Sequence, residues 1–272
     1  MSTQLERAQK FKALHERKGA FIIPNPWDIG SARLLAGMGF EALATTSDGA
    51  ANALGVLDGE LQRQQVIEHC RIIAGATDLP LNADLENCFA HDPKQAAETI
   101  RLAAEAGAVG GSIEDYSGDP AKPIYDFELA VDRVRAAAEV ANSLDFPFLL
   151  TARAENLLRG ISDLEDTIRR LQAFEAAGAH VLYAPALTTL EQVRAVTQAV
   201  SKPVNVLGVM VKGATVAQLA EAGAKRISVG GALARAAITA LIRTATQMRD
   251  QGSFAWTADL APGGEVKRLL KS

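Results

Sequence analysis

Two carboxylates stand at the end of an apolar run in Pro80-Leu81-Asn82-Ala83-Asp84-Leu85-Glu86-Asn87, where a buried strand would finish. Side chains alternate along a strand, so Asn82, Asp84 and Glu86 are expected on one face, with Leu81, Ala83 and Leu85 on the other. Further on, Gly111-Ser112-Ile113-Glu114-Asp115 ends a second apolar run in acids. Carboxylates converging from neighbouring strand ends repel one another unless something positive lies between them, so the pattern predicts a divalent cation there. The plainer reading of Asp84 and Glu86 is a solvated strand end. A strand arginine, Arg153 in Phe148-Leu149-Leu150-Thr151-Ala152-Arg153, adds a planar fork suited to carboxylate or phosphonate. It could equally pair with Glu155 or Glu114. With the Ser/Gly turn Thr45-Thr46-Ser47-Asp48-Gly49, these groups suit an anionic, oxygen-rich substrate chelated to Mg²⁺.

A repeating strand–helix period must position them. Strands are expected at 21–24, 42–46, 81–86, 111–114, 148–153, 181–183, 203–207 and 226–229. Helices are expected at 29–38, 60–74, 93–106, 126–141, 163–177, 190–200, 216–222 and 233–248. Several helices end in Ala-Gly-Ala or a close variant just before the next strand, as at Gly107, Gly178 and Gly223. Glycine in the left-handed conformation makes such returns tight. Eight such units predict an α/β fold, a (β/α)8 barrel over residues 1–272 as one domain, with an N-terminal helix and a C-terminal tail. A doubly wound sheet would carry a glycine-rich phosphate turn after its first strand, and this chain has Asn25-Pro26-Trp27-Asp28 there. The last helix, Leu233 to Met248, is apolar around most of its circumference and so predicts contact with a second subunit. The tail from Gly252 is expected to fold over a surface or a neighbouring subunit.

The 272 residues, 48% of them hydrophobic, suffice for one large core. A net charge of -4 without a basic run argues against nucleic acid, and no apolar stretch is long enough for a bilayer. The polar N-terminus lacks the apolar centre of a signal peptide. Two cysteines, Cys70 and Cys88, give no disulfide framework, and a cytoplasmic protein is expected. His15, His69 and His180 read as structural.

Taken in order, Thr45-Thr46-Ser47, Gly55-Val56-Leu57-Asp58, Asn82-Ala83-Asp84-Leu85-Glu86, Ser112-Ile113-Glu114-Asp115, Thr151-Ala152-Arg153-Ala154-Glu155 and Pro203-Val204-Asn205 resemble the isocitrate lyase/phosphoenolpyruvate mutase superfamily. The resemblance implies a small anionic 2-oxo carboxylate or its enolate bound with Mg²⁺, or alternatively Mn²⁺. It also implies a homo-oligomer, dimer or tetramer, in which the last helix is exchanged. Asp84, Glu86 and Glu114 match the metal-site acids, partly through water, and Asp58 an acid near the metal. Arg153 matches a catalytic, substrate-binding arginine, with Glu155 beside it. Ser47 and Gly49 match the turn that binds the 2-oxo acid's carboxylate, Trp27 a wall of the site, and Asn205 a polar group over the substrate.

The chain departs from the lyase pattern after the fourth strand. Lyases of this superfamily carry Lys/Arg-Cys-Gly-His there, with the cysteine as acid/base; this chain has Tyr116-Ser117-Gly118-Asp119-Pro120-Ala121-Lys122-Pro123. Lys122 is the candidate catalytic group in that loop, beside the plainer reading of a solvated charge. After the sixth strand, Ala184-Pro185-Ala186 replaces a glutamate of methylisocitrate lyases. Isocitrate and methylisocitrate cleavage are therefore expected to be weak. A Mg²⁺-dependent carbon–carbon lyase or decarboxylase acting on an oxaloacetate-like acid needs no cysteine and is the leading expectation. The alternatives are P–C chemistry on phosphonopyruvate or phosphoenolpyruvate, and a 2-oxo acid binding protein with little catalysis.

Overall fold

The structure is a computed structural model that describes residues 2–271. Eight strands run in parallel: β1 (Phe21–Ile23), β2 (Leu43–Ala44), β3 (Leu81–Ala83), β4 (Gly110–Glu114), β5 (Leu149–Arg153), β6 (Val181–Tyr183), β7 (Val204–Leu207) and β8 (Arg226–Ser228). Their order is β1-β8-β7-β6-β5-β4-β3-β2, and the Ala44 N–H donates to the Pro24 carbonyl at 3.0 Å across the remaining seam. The chain is a (β/α)8 barrel.

The helices used below are α1 (Gln4–Glu16), α2 (Ile29–Gly37), α3 (Ser47–Ala53), α4 (Arg63–Ala74), α5 (Pro93–Glu105), α6 (Phe127–Ser143), α7 (Leu164–Ala176), α8 (Leu190–Ala199), α9 (Val216–Glu221), α10 (Ala232–Gln251) and α11 (Gly263–Leu270). The expected glycine returns are present: Gly107, Gly178 and Gly223 have φ of +100°, +104° and +94°. At Gly223 a Cβ would also lie 2.5 Å from Thr197 Oγ1, so helix packing reinforces the backbone requirement. Pro93 opens α5 as expected, behind an Asp92 cap whose carboxylate accepts from the Gln95 N–H.

α1 closes the floor of the barrel. Ala8, Phe11, Leu14 and His15 are its buried residues, and Phe11 packs with Phe21, Ile23, Val109 and Leu149. At the other extreme, Ala234 is the buried residue of α10, and Leu241 and Ile242 are 66% and 61% exposed. The tail folds back on its own chain, with α11 against α2. Among the described residues, no helix is long and apolar enough to cross a membrane.

Two boundaries alter the expected geometry at the strand ends. β3 stops at Ala83, and Glu86, Cys88 and Phe89 have φ of +49°, +59° and +56°. Simple alternation thus ends before Asp84, and a left-handed turn, not the pleat, orients Glu86. The Ser47 turn is wound into α3, capped by the Thr46 side chain.

Candidate active site

A cavity of about 270 Å³ opens at the carboxyl ends of the strands. Ser47, Asp58, Asp84, Arg153 and Asn205 line it, together with Asn82, Ser112, Tyr183, Arg226 and Ser228. An adjoining outer cleft shares Ser47, Asp58 and Arg153 and adds Glu86, Glu114, Tyr116 and Arg159.

Arg153 is the hub. Its guanidinium reaches Asp84 at 2.9 Å, Glu114 at 3.0 Å and Glu155 at 2.8 Å. Burial works against its charge, yet Glu155, Glu114 and Asp84 raise its pKa well above the ordinary value. Burial pushes the Glu114 carboxyl well above its usual range; Arg153 opposes this, while Glu155 and Asp84 add to it. Arg159 stacks 3.5 Å above the Tyr116 ring and approaches Glu155 at 3.4 Å and Glu114 at 3.8 Å.

Asp84 is fixed from three sides. It accepts from the Ser47 N–H at 3.1 Å, from Ser112 Oγ at 3.3 Å and from Arg153, while its own N–H donates to Thr45 Oγ1. Glu86 is less well served. Burial lifts its carboxyl to about 7, Asp84 and Asp58 add to this, and its buried Oε1 has no hydrogen-bond partner. Loss of water also raises Asp58, against a hydrogen bond with Ser47 and with the charges of Asp84 and Asp48 adding.

These acids fit a hydrated Mg²⁺. Among the described residues, no three His, Cys, Asp or Glu form a ready-made cage. Mg²⁺ does not require one, because it is commonly held by one or two carboxylates and keeps several waters. Burial, with neighbouring acids adding, raises the Glu86, Asp58 and Glu114 carboxyls, and one buried Glu86 oxygen is left without a partner that a hydrated cation would supply.

Several residues lie elsewhere than the sequence suggested. Lys122 does not reach the cluster: its Nζ pairs with Asp126 at 2.7 Å in an exposed loop pinned by the Tyr116–Ile124 bridge. Trp27 lines a separate apolar cleft with Ile29, Leu54 and Ile72. Glu155 is fully buried beneath Arg153, accepting from it, and does not line the cavity. The Gly49 N–H faces Thr46 Oγ1, and a Cβ on Gly49 would sit 2.8 Å from Trp27 Cβ. Ser47 and Gly49 thus commit these N–H groups within the chain. Asn205 does line the cavity, held by Arg226 Nε at 2.8 Å and donating to Ser228 Oγ.

Arg159 and Arg226 were not foreseen. Arg159 lies in a loop without a distinguishing pattern. Arg226 had a signal in alternation, which places it on the same strand face as Ser228, the last residue of β8.

Comparison with known proteins agrees with this architecture. The phosphoenolpyruvate phosphomutase family model matches residues 11–249. The 2-methylisocitrate lyase of Escherichia coli (strain K12) is 31% identical over 202 residues, covering 71% of this chain and 67% of that protein. The oxaloacetate decarboxylase of Paraburkholderia xenovorans (strain LB400) is 28% identical over 273 residues, covering 97% and 88%. A candidate lyase/mutase crystal structure from Burkholderia cenocepacia J2315 superposes with a TM-score of 0.95 at 52% identity, covering 99% and 97% of the two chains. Phosphonopyruvate hydrolase, in a complex with oxalate and Mg²⁺, shares the fold at a TM-score of 0.85 and 22% identity over 97% and 95%. Relatives of this barrel are enzymes, and Mg²⁺ and a small carboxylate occupy one of them. With the matched span running from α1 through nearly all of α10, the chain belongs to the phosphoenolpyruvate phosphomutase family, within the isocitrate lyase/phosphoenolpyruvate mutase superfamily.

Proposed function

We propose that this chain is a Mg²⁺-dependent lyase or decarboxylase that breaks a carbon–carbon bond of a small 2-oxo or 2-hydroxy carboxylate through an enolate. The observation that carries the reading is the clustering of Asp84, Glu114 and Glu155 on one guanidinium beside the unsatisfied Glu86 carboxyl. Asp84 would hold the metal, with Glu86, Asp58 and Glu114 around it through water. When bound, Mg²⁺ supplies the charge that stabilises an enolate oxygen.

The chain's own residues do the rest. Arg153 contacts Asp84 and Glu114 together and fixes their orientation, and its charge opposes the upward push that burial gives the Glu114 carboxyl. Ser47 and Ser112 hold Asp84 through hydrogen bonds, so its carboxylate needs little reorganisation on binding. The Tyr116–Arg159 stack flanks the outer cleft beside Glu86 and Glu114. The likeness to an oxaloacetate decarboxylase over almost the whole chain supports decarboxylation, as does a loop after β4 without the lyase cysteine.

The exposed Leu241 and Ile242 on α10 support a homo-oligomer in which this helix packs on a second copy. The composition supports a cytoplasmic setting.

The test is turnover of oxaloacetate, phosphonopyruvate, isocitrate and methylisocitrate with Mg²⁺ or Mn²⁺, by wild type and Asp84→Asn. Metal-dependent release of CO₂ from oxaloacetate, abolished in the variant, is expected. Cleavage of phosphonopyruvate alone would move the reading to P–C chemistry. Tight binding of these acids without turnover would make the protein a binder.

A further inference from the structure

The buried arginines of the barrel differ in how their charge is met. Arg170 has Asp115 and Asp166, and Arg153 has three carboxylates. Arg133 lies away from the cavity and donates to the carbonyls of Asn87, Ala90 and His91. Arg226 is 3% exposed, lines the cavity, and among the described residues has only neutral hydrogen-bond partners: Asn205 Oδ1 at 2.8 Å, Thr151 Oγ1 at 3.0 Å and Asn82 Oδ1 at 3.4 Å. A guanidinium carries five N–H donors, so this set leaves donors to spare.

Among the described residues, no carboxylate pairs with it. Burial lowers its pKa to about 10, with Tyr183 the group acting against that, and the buried Tyr183 phenol is itself pushed up to about 12. His15, on the helix that closes the floor, is held neutral: burial pulls it to about 3, and the Arg226 charge adds to this. A buried charge without a counter-charge is costly, and barrel interiors are usually filled by branched apolar residues. Such departures from packing logic concentrate where a ligand is recognised.

The depth of the charge is measurable along β3. Asn82 meets Arg226, and Asp84 at the mouth lies two residues further along the chain, a rise of ~7 Å. The cavity therefore has acids at its mouth and an unpaired cation below. The Ser112, Asn205 and Ser228 side chains that line it between them are uncharged.

We propose that Arg226 is the specificity-determining residue of the site, receiving the far carboxylate of an oxaloacetate-like substrate and so selecting it over monocarboxylates. The first carboxylate and its neighbouring oxygen face Asp84, and the far carboxylate descends to the guanidinium. This rests on the 2-oxo or 2-hydroxy acid reading of the mouth given above. A two-pronged carboxylate matches the guanidinium fork and supplies the missing counter-charge.

L-Malate and L-lactate test it, because they share the 2-hydroxy carboxylate and differ in the far carboxylate. Calorimetric titrations are made with Mg²⁺ and again with EDTA, on wild type, Arg226→Gln and Arg226→Lys. Wild type with Mg²⁺ is expected to bind malate at least about 30-fold tighter than lactate. Arg226→Gln should erase that preference by weakening malate far more than lactate, and Arg226→Lys should restore part of it. Equal affinity for the two acids in wild type overturns the proposal and needs no variant. So does a folded Arg226→Gln protein that keeps the preference or weakens both acids alike. Arg226-dependent malate binding that is the same in EDTA supports the floor site while refuting the metal at the mouth. No binding of malate under either condition overturns both.

Discussion

His15 gives a pH dependence of stability that can be worked out from its surroundings. The ring lies edge-on between Phe11 and Phe21, with centroids at 4.7 and 5.0 Å. Nδ1 is 2.9 Å from the Phe11 carbonyl, which fixes the proton there, and the buried Nε2 has no partner. Protonation would place a charge on Nε2 in an apolar cluster close to Arg226, and burial accordingly pulls the pKa to about 3. An unfolded histidine titrates near ~6.5. Between those values the unfolded chain binds a proton that the fold refuses. The contribution is therefore fully present above ~6.5 and is lost as pH falls towards 3, at ~1.4 kcal/mol per pH unit. From ~6.5 down to pH 5 the loss is about 2 kcal/mol. His15→Phe keeps the ring shape and cannot titrate. Urea unfolding of both proteins at pH 7.5 and 5.0 isolates the term, because titration of the carboxylates is common to both. Wild type should lose about 2 kcal/mol more than the variant over that interval. Equal losses would refute the reasoning and show that water or a counter-ion reaches Nε2.

Arg153→Met leaves Asp84, Glu114 and Glu155 crowded without their shared cation. The expected cost at neutral pH is about 3–5 kcal/mol in urea unfolding, shrinking as pH falls and the acids protonate. Gly49→Ala brings a methyl to 2.7 Å from Thr46 Cγ2, 2.8 Å from Trp27 Cβ and 3.3 Å from Ala234 Cβ, so about 1–3 kcal/mol of overpacking should appear as a lowered melting temperature. Light scattering at micromolar concentration should give a multiple of 28.8 kDa, with Leu241→Glu/Ile242→Glu shifting it towards the monomer. A wild-type monomer mass would remove α10 from any interface.

The barrel was legible because its signals are local. Gly107, Gly178 and Gly223 mark the returns, and Asp92-Pro93 marks a helix start whatever the tertiary context. The metal-type acids were legible as types but not as geometry. Asp84 and Glu86 were placed by strand alternation, whereas a left-handed turn carries Glu86, and glutamate has no preference that would announce one. Lys122 was drawn in by its proximity along the chain to Glu114, and an i,i+4 partner, Asp126, holds it outside. Glu155 follows Arg153 by two residues and serves it from beneath. The cation below the mouth was passed over because a strand interior is ordinarily apolar and Arg226 is the first residue of the strand expected at 226–229.

The helix that plugs the floor has a consequence for how the chain is made. Phe11 leaves the ribosome early, yet the wall it rests on includes Val109 and Leu149, and a Cβ on Gly110 would lie 2.8 Å from its ring. β1, which packs beside it, pairs with β8 and cannot do so until Arg226 to Ser228 has been synthesised. The first helix to form therefore waits longest for its seat, with an apolar face uncovered through most of translation. Chaperone dependence in this protein should concentrate on its earliest residues.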